Sequence, residues 1–134
     1  MRIAAGVMLI IAAVLNLFAS IGYLGFGGAM TGVGSMDEMG ADGATLVAGG
    51  GMLMAMGLFL LVSVGILIAG AVFLFQQKKP GFALGAGVMA ILAEVFGILI
   101  TAFGIMNIIG LVAGVLAIIA AKSYTEGGSE PEAA

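Results

Sequence analysis

Glu94 is the one ionisable side chain placed deep inside a long apolar stretch of this sequence. A carboxyl there could take up a proton or hold a cation, because intramembrane carboxylates usually mark substrate or ion pathways. With no second ionisable partner in the apolar stretches, the preferred reading is a neutral Glu that donates one hydrogen bond to a facing carbonyl or asparagine. Counted from Phe82 it lies about twelve residues along a helix, roughly 18 Å from the helix start. Ala86, Gly87, Ala90, Gly97 and Thr101 share its side of that helix, and Ile91, Leu92, Phe96 and Leu99 lie opposite. Small stripes let helices pack closely. Glu94 is therefore expected to point into a bundle or an oligomer interface, where burial disfavours a charged carboxylate.

Asn16 occupies nearly the same place in the first apolar stretch, beside Ala12, Ala19, Ser20 and Tyr23. A hydrogen bond from Asn16 to Glu94 is one expectation, worth about 1 kcal/mol. Ser63 and Thr101 are candidates to join such a network, and Asn107 reads as a helix cap. Other chemistry has little to stand on. The chain has no His and no Cys, so no catalytic residue, metal ligand set or cofactor site is expected. Met52, Met54 and Met56 could suggest a soft-metal site, but alternate residues on a helix lie about 200° apart and do not converge. Flexible filler is the reading preferred for them.

The elements that must position Glu94 follow from composition. The chain has 134 residues, of which 63% are apolar, with only 4 Lys or Arg and 7 Asp or Glu. Mean hydropathy is +1.31. A small water-soluble domain leaves too many residues at its surface for such a composition, so lipid is expected to be the solvent. A bilayer crossing takes about 20 apolar residues. Four spans are expected: about 3–29, 46–75, 82–102 and 105–121. The last two require a tight reversal near Thr101–Asn107, with Gly104 as helix stop and Asn107 as restart. The connection 30–45, within the glycine-rich Gly27–Gly51, reads as a flexible outer loop. Residues 76–81 read as a short inner turn with Pro80 placed to begin a helix. The acidic stretch 123–134 reads as a disordered tail.

Arg2, Lys78-Lys79 and Lys122 fall on one side of a four-span chain, which the positive-inside rule assigns to the cytoplasm. Asp37, Glu38 and Asp42 fall on the other. Both termini are thus expected to be cytoplasmic. A cleaved signal peptide ending near Gly27-Gly28-Ala29 is the competing reading of the first span. An internal repeat weighs against it. Gly6-Val7-Met8-Leu9-Ile10-Ile11-Ala12-Ala13-Val14 parallels Gly87-Val88-Met89-Ala90-Ile91-Leu92-Ala93-Glu94-Val95, and Leu67-Ile68-Ala69-Gly70 parallels Leu111-Val112-Ala113-Gly114. The expected fold is an all-α integral membrane four-helix bundle built from a duplicated hairpin. Gly81, Gly85, Gly97, Gly110 and Gly114 are the expected helix-packing positions.

With its Phe75–Gly81 turn, Gly85–Ile91 segment and closing Gly110–Lys122, the region 1–122 resembles small four-span prokaryotic membrane proteins grouped as a domain of unknown function. That resemblance implies the fold and a multi-pass place in the plasma membrane, and no activity. Ile91–Gly97 also resembles the carboxylate helix of rotary ATPase proteolipids, although here a further span follows it. Small multidrug transporters share four spans and a membrane carboxylate, but theirs lies in the first span, where this chain has Ala13. The expected role is non-enzymatic: structure or interaction, through a homo-oligomer or as accessory subunit of other membrane proteins. The alternative is proton- or cation-coupled transport through Glu94. The lipid bilayer is the expected surrounding, and the sparse cations give nucleic acid nothing to bind.

Overall fold

A computed structural model describes residues 1–36, 38, 40–100 and 102–124 of the chain. It is all-helical: α1 is Arg2–Gly34, α2 Gly40–Gln76, α3 Pro80–Ile100 and α4 Ile105–Ala121. Continuous apolar runs without strand-like alternation explain the choice of helix. α1, α2 and α3 are each long and apolar enough to cross a membrane, and α4, with 17 residues, is a shorter apolar helix. Large apolar side chains face outward along the helices, among them Phe18 at 68% exposure, Leu99 at 75% and Ile105 at 80%. Such faces suit hydrocarbon and would be patches for aggregation in water. The acidic tail from residue 125 onward, Asp37 of the first connection and Thr101 lie outside the described residues.

The first connection differs from expectation. The loop assigned to 30–45 is helical over most of its length, because α1 runs to Gly34 and α2 starts at Gly40. The physical reason lies in the spacing of its glycines. Gly27 and Gly34 sit one heptad apart on α1, and Gly43, Gly50 and Gly57 repeat the same spacing on α2. Glycines at that period fall on one stripe of a helix and form a seam instead of a flexible chain.

The chain divides into two compact units: Met1–Leu15 with the residues from Ser63 onward, and Asn16–Val62. The first unit is made of the opening turns of α1, the later part of α2, and all of α3 and α4. Its core is largely alanine, with Leu9, Leu67 and Leu74 as the large fully buried side chains. Alanine cores bring backbones close, so dispersion between tightly apposed helices does the holding. Gly70 faces Ala86, Gly6 lies under the Phe75 ring, and Gly87 lies where a Cβ would be 2.7 Å from the Gly114 carbonyl.

The repeat is visible as burial. Within the first unit, the buried positions of α1 are Ala5, Gly6, Leu9, Ala12 and Ala13. On α3, Ala86, Gly87, Ala90, Ala93 and Glu94 are buried, the same positions once Gly6 is laid on Gly87. For α2 and α4 the buried faces (Leu67, Gly70, Ala71, Leu74 and Gly110, Ala113, Gly114, Ala117) share a spacing but sit one residue out of step with the matched letters.

The second unit is one antiparallel pair formed by the rest of α1 and the start of α2. Its seam is glycine against backbone. A Cβ on Gly27 would lie 2.6 Å from the Gly50 carbonyl, and one on Gly34 would lie 2.6 Å from that of Gly43. Gly57 lies against Leu24, while Ser20, one heptad before Gly27, is fully buried and donates to the Leu17 carbonyl at 2.8 Å. Met52 is 59% exposed, whereas Met56, one turn later, is 5% exposed.

Candidate functional site

The site is built by the reversal between α3 and α4. α4 is capped by Gly104 in extended conformation, φ −145° and ψ 174°. Gly104 is thus the start of α4 and not the stop of the preceding helix. The Gly104 carbonyl accepts from the Asn107 N–H at 3.1 Å, and the Gly104 N–H donates to Asn107 Oδ1 at 2.8 Å. A glycine N-cap has no side chain to offer, so Asn107 supplies the reciprocal half of the cap from within the first turn.

The other end of the same amide holds Glu94. Asn107 Nδ2 donates to Glu94 Oε2 at 2.6 Å. Glu94 is 8% exposed, and its carboxyl lies in the space a side chain at Gly110 would fill, since a Cβ there would collide with it. Gly97, one turn beyond Glu94, is half-buried, and a Cβ on it would meet the Asn107 amide at 3.7 Å. Glu94 on α3, Asn107 in the first turn of α4 and Gly110 one turn later therefore form a polar lock that closes the hairpin. No buried side-chain nitrogen or oxygen among the described residues lacks a partner.

Of the other expected site residues, Gly114 is buried against Ile91 and the Gly87 carbonyl. Gly81 and Gly85 have open space where a Cβ would stand, so they pack no helix within this chain. Asn16 is buried and belongs to the second unit, while Glu94 belongs to the first. Ser63 is fully buried in α2. Asn107, read as a cap, is both cap and carboxyl partner. The signal for that dual role was its place three residues after a helix-starting glycine and opposite Glu94 across a short turn.

A second polar constellation lies where α2 hands over to α3. The Lys78 N–H reaches the Phe73 carbonyl at 2.9 Å and the Gln77 N–H the Leu74 carbonyl at 3.4 Å, the Schellman pattern, with Gln77 left-handed at φ 54°. Arg2 Nη1 donates to the Leu74 carbonyl at 3.1 Å. The Tyr124 hydroxyl reaches the Lys78 carbonyl at 2.8 Å and that of Phe73 at 3.3 Å. The Lys79 ammonium lies 5.2 Å from the Phe73 ring centroid, and that ring meets Phe82 edge-on at 5.1 Å. Both termini of the bundle are thereby tied to one turn.

No family model, curated protein or solved structure matches this chain.

Proposed function

We propose that the chain is a small multi-pass integral membrane protein without catalytic activity. In this reading it crosses the bilayer four times with both ends cytoplasmic, and it acts by association, with itself or as an accessory subunit of a larger membrane assembly. Outward Phe, Leu and Ile side chains support the lipid surrounding. The gathering of Arg2, Lys78, Lys79 and the Lys122 flank around one turn supports the orientation.

The observation that carries the interaction reading is the contrast between glycines. Gly110 and Gly114 are consumed inside the α3–α4 hairpin, whereas Gly81 and Gly85, one turn apart on α3, stand open. An open small-xxx-small pair on a membrane helix admits another helix backbone at close range. Glu94, held by Asn107 and fitted against Gly110, serves to close the hairpin. The test is the assembly size of purified protein in mild detergent, read by light scattering and by crosslinking in membranes. Gly81→Leu with Gly85→Leu is expected to reduce that size. An unchanged assembly and unchanged co-purifying subunits refute the reading.

A second reading, coupling of proton or cation movement to Glu94, keeps one observation in its favour: a carboxyl buried in an apolar helix is costly and usually functional. Flux in liposomes that is lost in Glu94→Gln would replace the structural role with this one.

A further inference from the structure

All four Lys and Arg of the chain collect at one end of the first unit. Arg2 is tied to the end of α2 through the Leu74 carbonyl, Lys78 and Lys79 form the turn, and Lys122 caps the end of α4. Tyr124, two residues on, closes the ring by bonding the Lys78 carbonyl. Among the described side chains of the first unit the one carboxyl is that of Glu94, some fourteen residues along α3, roughly 20 Å by helical rise. The Lys79 ammonium lies over a neutral ring, and Lys78 and Lys122 are exposed. The backbone that carries these cations is fixed by the Schellman bonds and the Tyr124 hydroxyl, so the positive charges are held together by structure and not merely by sequence proximity.

We propose that this end of the bundle binds a phosphate-bearing anion, the group common to acidic phospholipid headgroups and soluble phosphates. Basic side chains at a membrane helix end attract anionic headgroups with a strength that grows per charge. Lys ammoniums serve phosphate as point charges with three rotatable donors each. The Phe73 ring beneath Lys79, the Phe82 ring edge-on to it and the buried Tyr124 suit the boundary between acyl chains and headgroups. The proposal rests on the membrane orientation given above.

The test uses the full chain reconstituted in phosphatidylcholine vesicles, with spin-labelled phosphatidylglycerol or spin-labelled phosphatidylcholine as probe. Motional restriction of the label reports binding. The wild type is expected to prefer phosphatidylglycerol, and Lys78→Gln and Lys122→Gln are each expected to cut that preference about fivefold. Lys78→Arg with Lys122→Arg is expected to retain it. A preference that survives excess inorganic phosphate assigns the site to headgroups, and one abolished by it assigns the site to soluble phosphate. Equal restriction of both lipids in the wild type overturns the proposal. So does a preference that emerges only after Glu126, Glu130 and Glu132 are changed to Gln, which would assign the cations to the chain's own tail. Carbonate washing of the same vesicles separates the two readings: protein that washes off sinks the membrane reading, and inserted protein without lipid preference sinks only this one.

Discussion

The two hairpin seams solve one packing problem in different ways. In Asn16–Val62, α1 and α2 meet glycine to backbone, with Gly27 against Gly50 and Gly34 against Gly43. Between α3 and α4, Gly87 and Gly114 make the same backbone approach, and the following turns add the Glu94–Asn107 hydrogen bond over Gly110. A glycine heptad specifies closeness, but its period leaves a slipped register nearly as good as the native one. A single polar pair removes that degeneracy, in the way a buried polar side chain sets register in coiled coils. The first seam draws its closeness from repetition, and the second adds one specific bond.

The largest effect is expected where backbone faces backbone. Gly50→Leu would set a side chain within van der Waals overlap of the Gly27 carbonyl and the Thr31 backbone, neither of which can rotate away. Overpacking of this kind costs about 1–3 kcal/mol or more. Gly51→Leu adds the same side chain to open space one residue later and is expected to be close to neutral. Helicity followed during titration from mild detergent into dodecyl sulfate measures both. Equal midpoints for the two variants would mean that the seam is not what holds this unit together.

Next in size is Gly110→Leu, which displaces the Glu94 carboxyl and should cost a comparable amount. The fit suggests its own rescue, because the Glu94 carboxyl occupies the space that a side chain at Gly110 would take. Glu94→Ala combined with Gly110→Leu empties that space and gives the leucine room. The double variant is expected to recover most of the loss, a coupling of about 1–3 kcal/mol. Additive losses would mean that the Glu94 carboxyl is not what Gly110 accommodates.

How much of this could be read from the letters depends on which interaction was local. Pro80 at the first position of α3 and the reversal before Asn107 follow from short-range rules, and the helical class follows from apolar runs. Gly27–Gly51 departs from the loop expectation because glycine frequency suggests a loop, whereas glycine period, seven residues on both arms, indicates a seam. Glu94 stood out as a lone carboxyl in an apolar run. Its partner did not, because Asn107 satisfies the cap rule by itself and nothing local demands a second bond. The difference between Gly110, which is filled by Glu94, and Gly85, which is open, depends on helix rotation, to which small-residue spacing is blind.

Asn107→Ala should cost less than the steric variants, about 2 kcal/mol, since it removes a cap acceptor and the donor to a buried carboxyl together. Glu94→Gln keeps an acceptor for the Asn107 amide and is expected to cost under about 1 kcal/mol. The same unfolding titration ranks them. A reversed order would mean that the carboxyl has a partner or a role beyond this lock.

Effects smaller than that of Asn107→Ala belong to the turn between α2 and α3, where the hydrogen bonds are near polar surroundings and water can replace what a substitution removes. Tyr124→Phe keeps the buried ring but gives up the bonds to the Lys78 and Phe73 carbonyls, for about 1 kcal/mol. Gln77→Gly works in the opposite sense. Gln77 holds φ 54° at the position after the α2 cap, a conformation that costs a residue with a Cβ roughly 1 kcal/mol and glycine almost nothing. Tryptic cleavage after Lys78 reports both, because the protease needs this turn to open. Cleavage should quicken in Tyr124→Phe, slow in Gln77→Gly, and return close to the wild-type rate when the two are combined. If Tyr124→Phe leaves the rate untouched, the hydroxyl is a passenger, and the turn is held by its Schellman bonds and the Arg2 guanidinium.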